Sequence, residues 1–450
     1  MKNLTIENIC RAGGGKWIGA TAAPGTEITA VTTDSRAVTP GCLFAAIPGE
    51  RVDGHDYIAS ALEKGALCAL AQRIPEGVDS GLILVPDTVA ALQAVAGFYR
   101  AQFDIPVLGI TGSVGKTTAK EMTAAVLSQR FRVHKTAGNF NNDLGVPITL
   151  FGMDETHECA VVEMGASHPG DMERLAEMVR PTMALYTVIG HAHLEFLKSR
   201  EGICAEKSVM NRYLPADGVV LCNGDDDLLA ALPCAQRKLT FGIGKHCDVR
   251  AEDIHPLPDG GSRCTIVYGQ RRMEAAIHAY GEHMVYAALE GAAAGIALGL
   301  DDEEIIRGIA QYAPVGRRAR RVETGKMTII DDCYNANPTS TASAIRSLAA
   351  GEGRKVCILG DMLELGEDAE KLHYETGALA ASAGIDLVLT TGALSRQTAE
   401  GAGQPEHWFE SRDALCTALP DLIRDGDTVL VKASHSMRFE EITAVLEAMK

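Results

Sequence analysis

What this chain lacks narrows its function before any motif is considered. No uncharged apolar run approaches the roughly 18 residues that cross a bilayer. The opening stretch, MKNLTIENICRAGGG, has no apolar core of the kind a signal peptide needs. Neither membrane insertion nor a leader is expected. The 12 cysteines are scattered, with no C-x-x-C pair and no metal-ligand spacing. Buried reduced thiols in a cytoplasmic protein are the expectation that follows. Positive charge is in deficit: 42 Lys and Arg stand against 59 Asp and Glu, a formal charge of −17. That balance argues against general binding of nucleic acid or anionic membrane. Aromatic residues, the usual stacking platforms for bases, make up only 5%. Any anionic substrate must therefore be held by backbone nests and a few placed cations.

What is present is ordinary in bulk and specific in detail. With 450 residues, 46% hydrophobic and 22% charged, the chain can build two to four soluble domains. Its organising stretch is DIPVLGITGSVGKTTAKE at 104–121. Residues 107–110 are an apolar run of the length of a buried parallel strand. Gly112, Ser113, Val114, Gly115, Lys116, Thr117 and Thr118 follow and lead into a helix-compatible segment. A strand, a glycine-rich turn and a helix N-terminus make an anion cradle, with Lys116 reaching the outer phosphates and the Thr117 hydroxyl placed for Mg²⁺. The glycine spacing is tighter than the common G-x-x-x-x-G-K-[ST] form.

Taken in order, the chain reads as three α/β units: residues 1–103, 104–313 and 314–450. In the first, the turn Asp34-Ser35-Arg36 and the polar run 48–55, ending in His55, are either turn chemistry or a grip on a phosphorylated ligand. In the second, Asn139, Asn141 and Asn142 crowd a loop rich in directed hydrogen-bonding groups. A strand then ends in Glu163, where a carboxylate could share a metal with the phosphates. His191 and His193 follow another strand, and Asp225, Asp226 and Asp227 read as a solvated turn. The third unit opens on the basic run Arg317, Arg318, Arg320 and Arg321, a solvated linker or an arginine that swings over phosphates. Alternating strands and helices then predict a doubly wound, Rossmann-like domain without a dinucleotide fingerprint.

TGSVGKTT, GNFNND-GVP, EMG, HAHLE, NGDD, Gly316-Arg317, DDCYNANP and GDMLELG occur in one order over nearly the whole chain. On these motifs the chain resembles the Mur ligases, the ATP-dependent enzymes that build the peptide stem of bacterial peptidoglycan. Within the family it is most similar to the last ligase of the pathway, which joins D-alanyl-D-alanine to UDP-N-acetylmuramoyl-tripeptide. The D-N-P-R box of members that add a diamino acid is missing. The resemblance implies a small UDP-binding domain, a central parallel-sheet P-loop ATPase domain and a C-terminal Rossmann-like domain for the incoming amine, in a monomer. It implies nucleotide contacts from 112–118, Asn139, Arg317, Asp332, Tyr334 and Asn335. Thr117 and Glu163 would hold one Mg²⁺; His193 and a carbamylated Lys207 would serve a second. Asp34, Ser35, Arg36, His55, Asn141 and Asn142 would line the UDP-sugar substrate site. As catalytic residues it implies Lys116, Glu163, His193, Lys207 and Arg317.

Three positions depart from the family pattern. Met284 and Ala287 stand where members carry two asparagines that contact adenine, and His435 replaces an arginine near the C-terminus. Two other readings remain at this point: a related ligase that adds a single amino acid, and a non-catalytic nucleotide or UDP-sugar module, which the lost asparagine pair alone favours.

Overall fold

The structure, a computed structural model, describes residues 1–19, 22–49, 52–257 and 260–449. Glu50 and Arg51, part of the polar run before His55, lie outside the described residues. Three sheets carry the chain. The first has five strands in the order Lys16–Ile18, Leu82–Leu84, Cys68–Ala71, Leu43–Ala45, Val31–Thr32, parallel except for the first. Helix Thr88–Arg100 follows, started by Asp87, whose carboxylate accepts from the Val89 and Ala90 amides. It ties the first sheet to the second: the Tyr99 hydroxyl donates to Met153 O at 2.7 Å, and Arg100 Nε to Val179 O at 2.9 Å. One apolar core, holding both Leu43 and Val162, runs through the two.

The second sheet has nine strands. Val107–Thr111 lies between Cys159–Glu163 and Met183–Tyr186, all parallel and buried on every residue. That double burial is why these strands read as unbroken apolar runs. Val133–Lys135 lies outside Cys159–Glu163, and the chain then crosses to continue with Met183–Tyr186, Val219–Asn223 and Arg237–Gly242. The direction of strand addition therefore reverses beside Val107–Thr111, opening a crevice at the strands' carboxyl ends. Beyond the parallel part the sheet extends through an antiparallel meander, Val249–Pro256, Ser262–Tyr268 and Arg271–Ile277, which the motif reading did not foresee. The signal was present in the alternating burial of 262–277 around the Gly269-Gln270 turn.

The third sheet has six strands in the order Arg320–Glu323, Thr328–Asp331, Thr428–Lys432, Lys355–Gly360, Leu387–Thr391, Trp408–Phe409. All pairings are parallel except that of the Arg320–Glu323 edge. This is the doubly wound arrangement expected of the C-terminal unit, with one antiparallel edge strand added. The cysteines are unpaired, most of them buried. No helix among the described residues is long and apolar enough to cross a membrane.

Candidate active site

The glycine-rich turn after Val107–Thr111 is shaped by two residues that only glycine suits. Gly112 has φ 152°, and a Cβ there would lie 2.0 Å from Thr187 Oγ1. Gly115 has φ 84° and precedes helix Lys116–Leu127 with no side-chain cap, so the first amides of the helix are left for a ligand. Strand Met183–Tyr186 and its continuation brace the turn. Ser113 N donates to Val188 O at 2.8 Å, and Thr187 Oγ1 donates to Val114 O at 2.5 Å. Lys116 curls back, its Nζ donating to Gly112 O at 2.8 Å. Burial lowers the Lys116 pKa, an effect Glu163 opposes and Arg318 reinforces.

At the second residue of the helix, Thr117 Oγ1 sits 3.0 Å from Glu163 Oε2 and 3.1 Å from Oε1. Asn141 Nδ2 donates to Glu163 Oε1 at 2.7 Å, and the fully buried Lys120 ammonium stands 3.9 Å from Oε2. A hydroxyl and a carboxylate are thus gathered beside the phosphate cradle, hard oxygen donors of the kind Mg²⁺ accepts. His193, at φ 60°, turns Nδ1 toward Glu364 Oε2 of the third sheet's loops, 2.5 Å away.

These groups open onto one cavity of about 1000 Å³. Its near wall includes 113–118, Asn139, Asn141, Asn142, Glu163 and His193, and its far wall Arg318, Asp332, Tyr334, Asn335 and Lys432. The far wall is internally tied. Lys432 Nζ lies 2.5 Å from Asp332 Oδ2 and donates to Asn335 O at 3.0 Å, and the Arg318 guanidinium covers the Tyr334 ring at 4.1 Å. Met284 and Ala287 lie on the cavity wall as well, with no polar atom to offer.

Six expected residues do not line this cavity. Arg317 does not face the cavity: its Nη1 donates to Asp331 Oδ2 at 2.8 Å, because Asp331 is fully buried and needs the counter-charge. Its neighbour Arg318 takes the cavity side. His55 is buried with both ring nitrogens engaged: Nδ1 lies 2.7 Å from Asp53 Oδ1, and Nε2 accepts from Gln72 N at 2.9 Å. Such a ring holds the first unit together and has no nitrogen left for a ligand. Asp34 and Arg36 bond to each other, Nε to Oδ1 at 2.9 Å, and with Ser35 form a turn away from the cavity. Lys207 does not line the cavity either; its Nζ donates to Ala166 O at 3.0 Å, just behind the wall residues Gly165 and Ser167. Burial, with Lys116 adding to it, brings the Lys207 amine down to about 7. Arg318, Lys432 and Glu364 had no individual signal in the sequence beyond the basic run and motifs that contain them.

Comparison with known proteins agrees with this geometry. The chain matches the Mur ligase family, catalytic domain, over 27–100, the Mur ligase middle domain over 110–295, and the Mur ligase, glutamate ligase domain, over 317–435. It is 39% identical to the UDP-N-acetylmuramoyl-tripeptide–D-alanyl-D-alanine ligase of Bacillus subtilis (strain 168), covering 93% of each chain. The crystal structure of MurF from Acinetobacter baumannii superposes with a TM-score of 0.92 at 32% identity, covering 99% of this chain and 98% of that one. MurF ligase from Thermotoga maritima in complex with ADP superposes with a TM-score of 0.84 at 28% identity, covering 93% and 97%. With a phosphate loop, a carboxylate–hydroxyl pair and a second-sheet wall around one cavity, and likeness of this extent over all three sheets, the chain belongs to the Mur ligase family.

Proposed function

We propose that this protein is an ATP-dependent, ADP-forming ligase that joins D-alanyl-D-alanine to UDP-N-acetylmuramoyl-tripeptide through an acyl phosphate, in peptidoglycan precursor synthesis. The observation that carries this reading is the shared cavity: a phosphate cradle on one sheet faces a cationic wall on another. A nucleotide switch needs only the first. The 39% identity to the Bacillus subtilis ligase, over nearly both whole chains, supports these substrates.

A carboxylate is a poor acyl donor until its oxygen becomes a leaving group. Transfer of the γ-phosphoryl achieves this, and the chain's part is positioning and charge neutralisation. The amides of 113–118 cradle the phosphates, Lys116 extends to the outer ones, and Arg318 supplies positive charge from the opposite wall in the role first given to Arg317. The dipeptide amine then attacks the acyl phosphate, releasing phosphate through a tetrahedral oxyanion that these fixed cations stabilise.

Thr117 and Glu163 fit one Mg²⁺, and His193 a second, by donor chemistry and proximity to the cradle. When bound, the ions would neutralise charge on the phosphates. Lys207, a near-neutral buried amine, suits carbamylation: the amine adds to CO₂ and loses a proton, leaving a carboxylate on the second metal's side. Domains 1–103, 104–313 and 314–450 would bind the UDP-sugar, ATP and the dipeptide, in a cytoplasmic monomer, since no step calls for a second copy. Asp34, Ser35 and Arg36 remain at an exposed turn of the first domain, where a uridine nucleotide could recruit them.

The test is ADP release with UDP-N-acetylmuramoyl-tripeptide, with and without D-alanyl-D-alanine, against single D- and L-amino acids. Dipeptide-dependent release is expected. Release with a single amino acid would move the substrate, and release with no amine would contradict ligation.

A further inference from the structure

Helix His283–Ala297 turns His283, Met284, Tyr286, Ala287 and Glu290 toward the cavity, which its N-cap residue Glu282 also lines. Glu290 is the buried carboxyl group among them. It is 4% exposed, and no hydrogen bond or ion pair ties it to another described residue. Buried carboxyls in folded proteins ordinarily have a partner, so one without suggests that the partner is a ligand. The helix runs beside Lys116–Leu127, the helix that starts at the phosphate cradle: a Cβ on Gly291 would lie 3.0 Å from Val126 Cγ2. Thr118 and Tyr312 line the same cavity. His283, whose Nδ1 is buried without a partner, stands about two turns of the helix away from Glu290. Met284 and Ala287 have no hydrogen-bonding group, and the Tyr286 hydroxyl is committed to Asp225 Oδ2 at 3.0 Å.

Resting on the proposed use of ATP, we propose that Glu290 is the base-selecting residue of the nucleotide site. Its carboxyl group donates one hydrogen bond to N7 of adenine and accepts one from the adjacent 6-amino group. Desolvation with no cation nearby raises the Glu290 pKa well above the usual carboxylate range, which favours the neutral acid, one donor and one acceptor. Adenine presents the complementary pattern there, an acceptor N7 beside a donor 6-amino group. Hypoxanthine, with a carbonyl oxygen at position 6, presents two acceptors on that edge, N7 and O6, which no placement of the single carboxyl proton can satisfy. A site that hydrogen-bonds a donor–acceptor pair rejects such an analogue because its own polar atoms are left unmatched.

The experiment compares equilibrium binding of ADP and IDP to the full-length wild type and to Glu290→Ala, Glu290→Met and Glu290→Gln. Wild type should prefer ADP. Glu290→Ala and Glu290→Met should weaken ADP about tenfold to a hundredfold and bring the ADP-to-IDP ratio close to one. Glu290→Gln keeps one donor and one acceptor in neutral form and should stay within about threefold of wild type. Glu290→Met should also melt at a higher temperature than wild type without nucleotide, since it removes an unpartnered buried polar group; this separates loss of contact from loss of fold. An unchanged ADP-to-IDP ratio in Glu290→Ala, or a failure of Glu290→Gln to retain selectivity, would overturn the assignment while leaving ATP-dependent ligation intact. Failure of wild type to bind ADP would overturn both.

Discussion

His193 and Glu364 meet across the cavity mouth, Nδ1 to Oε2 at 2.5 Å, and both sit in the left-handed backbone region, at φ 60° and 61°. Residues without a glycine's freedom hold that conformation only when their surroundings enforce it. A second bond, Glu195 N to Glu364 O at 3.3 Å, joins the same two loops. With Nδ1 held by the carboxylate, His193 keeps Nε2 as its free donor atom for a metal.

Glu364→Ala should therefore raise the Mg²⁺ needed for half-maximal activity by about tenfold to a hundredfold, the range for removing a partner of a ligating histidine. Titration of Mg²⁺ against the steady-state rate checks this. An unchanged Mg²⁺ requirement would make the contact a closure latch only.

Lys207 gives a pH dependence. Its folded-state pKa of about 7 is below its ordinary 10.5, so between these values the unfolded chain holds a proton that the folded one lacks. Stability should rise with pH across that window, and Lys207→Met should remove the rise. Only the neutral amine adds to CO₂, so carbamate should form more readily at about pH 8 than at about pH 6. Carbon-13 NMR of the protein in labelled bicarbonate would show a carbamate signal that Lys207→Met abolishes.

The two neighbouring arginines should separate cleanly. Arg317→Ala uncovers the buried Asp331 carboxylate, which keeps only Arg320 Nη2 at 3.4 Å and Cys333 Sγ at 3.0 Å. A loss of about 1–3 kcal/mol of stability is expected, with little change in turnover of the folded enzyme. Arg318→Met should melt like wild type and slow turnover at least about tenfold, since a cation facing the phosphates acts on the transferring group. Reversal of this pattern in melting and kinetic measurements would reassign the pair.

Gly112→Ala tests the phosphate loop. The added Cβ would meet Thr187 Oγ1 at 2.0 Å, and Thr187 is the residue that pins Val114 O. A loss of about 1–3 kcal/mol through backbone strain is expected. ADP affinity should fall with it, read by thermal unfolding and ADP titration. Wild-type behaviour in both would mean the loop can relax without consequence.

The phosphate loop was legible because everything that makes it is local: an apolar strand, two glycines in strained conformations and a helix start lie within residues 107–118. Glu163 was legible for a related reason, since a carboxylate ending a strand of a parallel sheet has few places to go but the crevice. Chain order and the alternation of strand and helix likewise set out the doubly wound C-terminal unit before any contact was known.

What the sequence left open is where adjacent side chains point and what they meet across long separations. Gly316 at φ 71° and Ala319 at φ 49° reverse the backbone on either side of Arg317 and Arg318. Packing, not composition, therefore sends one guanidinium to buried Asp331 and the other to the cavity. His55 carries the same residue type whether it binds a ligand or braces a loop, and only its burial against Asp53 and Gln72 chose the second. His193 and Glu364 are 171 positions apart, and Asp332 and Lys432 are 100. Sequence alone determined the cradle and the carboxylate beside it through local backbone chemistry; the opposing wall, the latch and the buried acid at Glu290 were decided by tertiary structure, because each depends on how separate elements pack around one cavity.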